Sequence, residues 1–170
     1  AAIRNMNQLR LLHTLMKSCA ISDLRFEALF CRMRRVALLH LSELQISSEL
    51  VDFLSTLAVQ CFTNDYLYSE RDDEAALAAV LEKRVHSGIE GSESIGLTDL
   101  LCLATYRPLH RLLSASSATL LDTVPEVKLR IFSEPLTERA LMAELCSLGE
   151  ITDITSIKVR RQYENNPYPR

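Results

Sequence analysis

Apolar residues recur at spacings of three and four along nearly the whole chain, and this period most narrows what the chain can become. Side chains at i, i+3, i+4 and i+7 share one face of an α-helix, whereas a strand sends alternate residues to opposite faces. Phe26, Leu29, Phe30, Met33, Val36 and Ala37 form one such stripe, with Arg25, Arg32 and Arg35 opposite. Ser22 and Asp23 stand where a side-chain oxygen accepts from first-turn amides. Leu50, Phe53, Leu54, Leu57, Cys61 and Phe62 form a second stripe; the helix begins at "SSE" and is expected to run to about Tyr68 as the longest and most buried. "RDDEAALAAVLEKRVHSG" is the clearest helix: Asp72, Asp73 and Glu74 suit its positive end, Lys83, Arg84 and His86 its negative end, and Gly88 a left-handed cap.

"SGIEGSESIGLT" then reads as a loop. A helix at 97–106 follows, with Thr98 or Asp99 near its start, and ends before Pro108; "PLHRLLSAS" opens a short one. "TLLDTVPEVKLRIF" has two readings, a helix opened by Pro125 or a strand in which Val127, Leu129 and Ile131 alternate. "SEPLTERALMAELCSLGE" is helical, with Pro135 near its start and Gly149 past its end. The sum is an all-α fold, an irregular helical bundle of about seven to eight helices. Residues 1–150 make the bundle, and 151–170 a short helix with an extended junction.

With 170 residues the chain can bury roughly 70% of its unfolded surface without a disulfide or metal staple. No apolar run approaches the ~20 residues of a membrane span. "AAIRNMNQLRLLHTLMKS" has the polar interruptions of an amphipathic helix rather than a secretory signal, and its start without methionine suggests a processed or excised N-terminus. A net charge of −3 gives no global attraction to nucleic acid or to an anionic membrane. The five cysteines are odd in number and lack any CxxC pair, and four of them (Cys31, Cys61, Cys102 and Cys146) sit in apolar helical strings. That usage fits a reducing compartment, so the expected location is cytoplasmic.

Residues that would carry chemistry are scarce. The glycines at 88, 91 and 96 do not spell GxGxxG, and neither GxSxG nor HExxH occurs. His13, His40, His86 and His110 each stand alone in helical strings. Asp72 and Asp73 are adjacent, so on a helix they diverge by about 100° and cannot share a substrate face. "RMRR" is the one dense basic cluster and reads as a solvated face. A Cys–His pair assembled in space, His40 or His110 with Cys61 or Cys102, is the one nucleophilic arrangement left open. No catalytic, cofactor-binding or metal-ligating residue is assigned. The better cluster is aromatic: "CFTNDYLYSE" places Phe62, Tyr66 and Tyr68 around Asn64 and Asp65, with Phe62 and Tyr66 on one helix face, either as core and boundary packing or as a docking surface.

The tail, "QYENNPYPR", cannot stay helical past Asn166, because Pro167 disfavours helical geometry in the residue before it and Pro169 repeats the constraint. This string resembles the "QYEENPYPRW" that precedes a class I S-adenosylmethionine-dependent methyltransferase domain in multidomain bacterial proteins. "QCFTNDYLYSERDDE" is similar to a string upstream in the same proteins, "QCFINEYVF" followed by acidic residues. The two lie in the same order in those proteins and bracket a helical region often preceded by tetratricopeptide repeats. Thr63, Asp65 and Asn165 depart from the pattern.

The resemblance implies a non-catalytic accessory domain that docks beside the methyltransferase domain or presents a protein substrate to it. S-adenosylmethionine would then bind in the following domain, and no cofactor residue carries over to this chain. Tyr163, Asn166, Pro167, Tyr168 and Pro169 would form the junction, or a plain linker. Two other readings stand beside it: a freestanding helical protein-interaction module whose groove takes a partner helix, and a small helical enzyme.

Overall fold

The computed structural model describes residues 7–91, 95–145 and 152–165. The fold is an all-α bundle, with seven helices and no strand among the described residues. They are α1 (Arg10–Ser18), α2 (Leu24–Leu39), α3 (Ser48–Thr63), α4 (Asp72–Ile89), α5 (Leu97–Ala104), α6 (125–144) and α7 (Ile154–Asn165). Two short 3₁₀ turns, Leu109–Arg111 and Ser117–Leu121, link α5 to α6, so "PLHRLLSAS" holds a single tight turn in place of the expected short helix.

The centre is α3. Every residue from Phe53 to Cys61 is buried, so this helix is wrapped on all sides rather than along one stripe. It packs against α5, α1 and the first part of α6, while α2 and α4 pack together beside it. Ser47 caps α3 by accepting from the Leu50 amide at 3.2 Å, and Asp23 caps α2 by accepting from the Arg25 amide at 2.8 Å. Burial of each large side chain, such as Leu54 or Leu57, contributes roughly 1.5–3 kcal/mol to this core. Polar ties hold the outer helices to it. His13 Nδ1 of α1 lies 3.1 Å from Thr56 Oγ1 and 3.7 Å from Asp52 of α3. Lys17 pairs with Glu126 of α6 at 2.7 Å.

Several expectations are corrected. The helix α3, with 16 residues, is not the longest: α4 has 18, and α6, continuous over 125–144, is longer still. Gly88 lies inside α4, and the left-handed glycine is Gly91, with φ +83°. In α2 the buried face is Phe30, Arg34, Ala37 and Leu38, so Leu29 and Val36 turn outward. The ambiguous 119–132 stretch resolves to helix and turn rather than strand: a 3₁₀ turn that ends at Leu121, a non-helical link over 122–124, then α6 opening on Pro125.

The helix α6 is continuous through a π-helical turn at Leu129–Ser133. Pro135 explains the turn: its ring would crowd the carbonyl four residues back and it donates no hydrogen bond, and a wider turn relieves both. Before the turn α6 buries Val127 and within it Ile131 and Phe132; beyond it, Glu134–Glu144 has no buried residue.

Candidate functional site

The aromatic cluster proposed from sequence comes together at the end of α3, which stops at Thr63 and not near Tyr68. The chain reverses through Asp65 and Tyr66, both left-handed at φ 50° and 57°. The Tyr66 amide donates to the Cys61 carbonyl at 2.9 Å and the Asp65 amide to that of Phe62 at 3.0 Å. This is a Schellman cap with aspartate where glycine is the common choice. A bulky residue at positive φ is held only by its surroundings. Tyr66 donates its hydroxyl to the Arg107 carbonyl at 3.2 Å, and its ring meets Phe62 edge-on at 6.4 Å.

Phe62 in turn meets the His110 ring edge-on at 6.3 Å. Burial pushes the Tyr66 phenol well above its ordinary pKa. Burial also lowers that of His110, helped by the positive charges of Arg111 and Arg139, while a backbone hydrogen bond to Ile131 acts in the opposite sense. Phe62, Asn64 and Tyr66 are half-buried against this neighbourhood and Asp65 is exposed.

Just beyond the elbow, the same string forms a buried polar network that the periodicity gave no reason to expect. Arg34, fully buried on α2, donates from Nε to Glu74 Oε1 at 3.2 Å. Its Nη2 donates to the carbonyls of Ser69 at 2.7 Å and Tyr68 at 3.3 Å. The guanidinium stacks over the Tyr106 ring, 4.5 Å from its centroid, and Tyr106 donates its hydroxyl to Glu74 Oε1 at 2.6 Å. The other carboxylate oxygen accepts from the Arg71 amide at 3.3 Å, so Glu74 also caps α4.

Gln60, likewise buried, ties the α1–α2 link to α3: with its amide oriented to match the donors and acceptors around it, the nitrogen donates to the carbonyls of Met16 and Cys19, and the oxygen accepts from the Ile21 amide and the Tyr68 hydroxyl. Outside this core Glu70 pairs with Arg107 at 2.6 Å. The polar residues of "QCFTNDYLYSERDDE" are thus largely consumed in holding α2, α3, α4 and the turn after α5 together. One trace of the network was visible in sequence. Arg34 lies four residues after Phe30 and three before Ala37, a charge within the apolar phase.

This arrangement offers poor nucleophiles. Burial pushes the Cys61 and Cys102 thiols up to about 12, and raises Cys31, which is half-buried. Cys19 is exposed, all four are free, and Cys146 lies outside the described residues. Among the described residues no hydrogen bond joins a histidine to a cysteine, and no three His, Cys, Asp or Glu side chains converge as metal ligands. No helix among them is long and apolar enough to cross a membrane. Arg32 is exposed, whereas Arg35 pairs with Asp73 at 2.6 Å.

At the tail, Tyr163 is exposed on α7, where Ile154, Ile157 and Val159 are also exposed. Asn166, Pro167, Tyr168 and Pro169 lie outside the described residues. The structure therefore brings Phe62, Asn64, Asp65 and Tyr66 together and sets Tyr163 on a separate helix. Comparison of the chain with protein-family models, with curated proteins and with solved structures gave no match.

Proposed function

We propose that this chain is a non-catalytic helical accessory domain of a class I S-adenosylmethionine-dependent methyltransferase protein in the bacterial cytoplasm, working through protein contacts. One observation carries the reading. The bundle is closed around α3, yet the segment after the π-turn leaves Leu136, Leu141, Met142 and Leu145 exposed, and α7 leaves Ile154, Ile157, Val159 and Tyr163 exposed. Helices with uncovered apolar side chains suit a surface that another domain or a protein substrate covers. They lead directly into the "QYENNPYPR" string, whose resemblance supplies the identity of the neighbour. Glu74, Tyr106 and Gln60 spend their buried polar groups on holding the helices together, which agrees with a supporting rather than a catalytic role.

The reading frame beyond Arg170 is the first test. A frame that continues into a β-branched strand and a glycine-rich turn supports it, and a stop codon replaces it with a freestanding interaction module. With such a frame in hand, hydrogen exchange on the longer protein should show added protection over 136–163 relative to the chain alone. Unchanged exchange there would refute docking by these helices. Calorimetry of the chain alone should show no uptake of S-adenosylmethionine, and saturable binding would overturn the non-catalytic assignment.

A further inference from the structure

The middle of α4 reads Ala75-Ala76-Leu77-Ala78-Ala79-Val80-Leu81, seven apolar residues in succession. A helix that is apolar all round is ordinarily covered all round. Here Ala78 and Leu81 face the core, while Ala76 and Ala79 are exposed, Val80 is 64% exposed and Leu77 39%. At 100° per residue, Asp72, Ala76, Ala79, Val80 and Lys83 fall within an arc of about 100° on the outer side. The charges on this helix divide in the same way. Asp73 is bonded to Arg35, Glu74 to Arg34, Glu82 to Arg107 and Arg84 to Asp99. Asp72 and Lys83, both exposed, make no ion pair or hydrogen bond within the described residues.

We infer that this face is a self-association surface whose occupant is α4 of a second copy of the chain, packed antiparallel about a two-fold axis. An axis passing between Leu77 and Ala78 sets Asp72 of each copy opposite Lys83 of the other, and Ala76 opposite Ala79. The charges are therefore complementary under the same operation that aligns the small residues, the condition an isologous interface must meet. Alanines at the crossing let the two axes approach to the short end of the usual 8–10 Å. Val80 of each copy flanks the contact and supplies most of its apolar area. One helix face per copy lies at the small end of specific interfaces, so the dimer is weak, dissociating in the range of roughly tens of micromolar.

Analytical ultracentrifugation of the full chain, up to about 1 mM and at low salt, tests this. The mass should rise with concentration towards that of a dimer. Lys83→Asp and Asp72→Lys each place like charges opposite one another at two symmetric points and should weaken association about tenfold or more. The double variant Asp72→Lys/Lys83→Asp restores both pairs and should recover it, with circular dichroism confirming that all three stay folded. A wild-type chain that remains monomeric throughout overturns the inference. So does a dimer indifferent to the single reversals, or one that the double reversal does not rescue.

Discussion

Replacing Arg34 by methionine would keep much of the side chain's volume and remove its charge. It would leave the Glu74 carboxylate, which is 2% exposed, with only the Tyr106 hydroxyl and the Arg71 amide as partners, and would free the carbonyls of Tyr68 and Ser69. Removing one partner of a buried ion pair costs about 3–5 kcal/mol, because the other charge stays desolvated. A domain of this class has about 5–15 kcal/mol in total. For 150–250 residues each kcal/mol shifts Tm by about 2–4 °C, so a fall of about 6–20 °C is expected.

Urea unfolding at neutral pH gives the quantity directly through the midpoint at constant m. Glu74→Gln should be comparably costly, since it leaves the guanidinium without its carboxylate. Arg34→Met/Glu74→Gln, with no buried charge, should be less destabilised than the sum of the singles by about 2 kcal/mol or more. A cost below about 1 kcal/mol for Arg34→Met, or simple additivity in the double variant, would refute the reasoning.

Three further outcomes are expected. The Cys61 and Cys102 thiols are held near 12 against an ordinary value near 9, so their stability contribution is complete below pH 9 and is lost as pH rises from 9 towards 12. Each should steepen the alkaline fall by about 1.4 kcal/mol per pH unit, and Cys61→Ala/Cys102→Ala should flatten a chemical-denaturation series over that range. Peptide-resolved alkylation of the native protein should modify Cys19 rapidly and Cys61 and Cys102 hardly at all; a fast Cys61 or Cys102 would revive the enzyme reading. Tyr66→Phe should cost about 1 kcal/mol by leaving the Arg107 carbonyl without its donor, read from the thermal midpoint, and no loss would show that the hydroxyl does not hold the elbow.

The helices were legible because their apolar period is local. So was the acidic start of α4, and Asp23 as a cap. What escaped was phase and contact. The α2 stripe was read through Leu29 and Val36 because both are apolar, yet the helix is rotated to bury Arg34, and the reason lies forty residues away in Glu74. The end of α3 is hidden in the sequence because Asp65 and Tyr66 are poor markers of left-handed geometry, where a glycine would announce the turn. Of the site, the Phe62–Tyr66 neighbourhood was visible as an aromatic spacing of four. Gln60, Glu74 and Tyr106 were not, because their roles exist only once α2, α3, α4 and the turn after α5 have met.

That convergence has a kinetic side. Gln60 through Glu74 closes separately onto residues 16–21, Arg34 and residues 106–107. Arg34 and Glu74 lose their water only when both are in place, so pairing them early, before the surrounding apolar contacts exclude solvent, gains little. The network should therefore set on the native side of the folding barrier. Changes within it would leave the folding rate nearly untouched and appear as faster unfolding, making this small cluster the latch that sets how long each molecule stays folded.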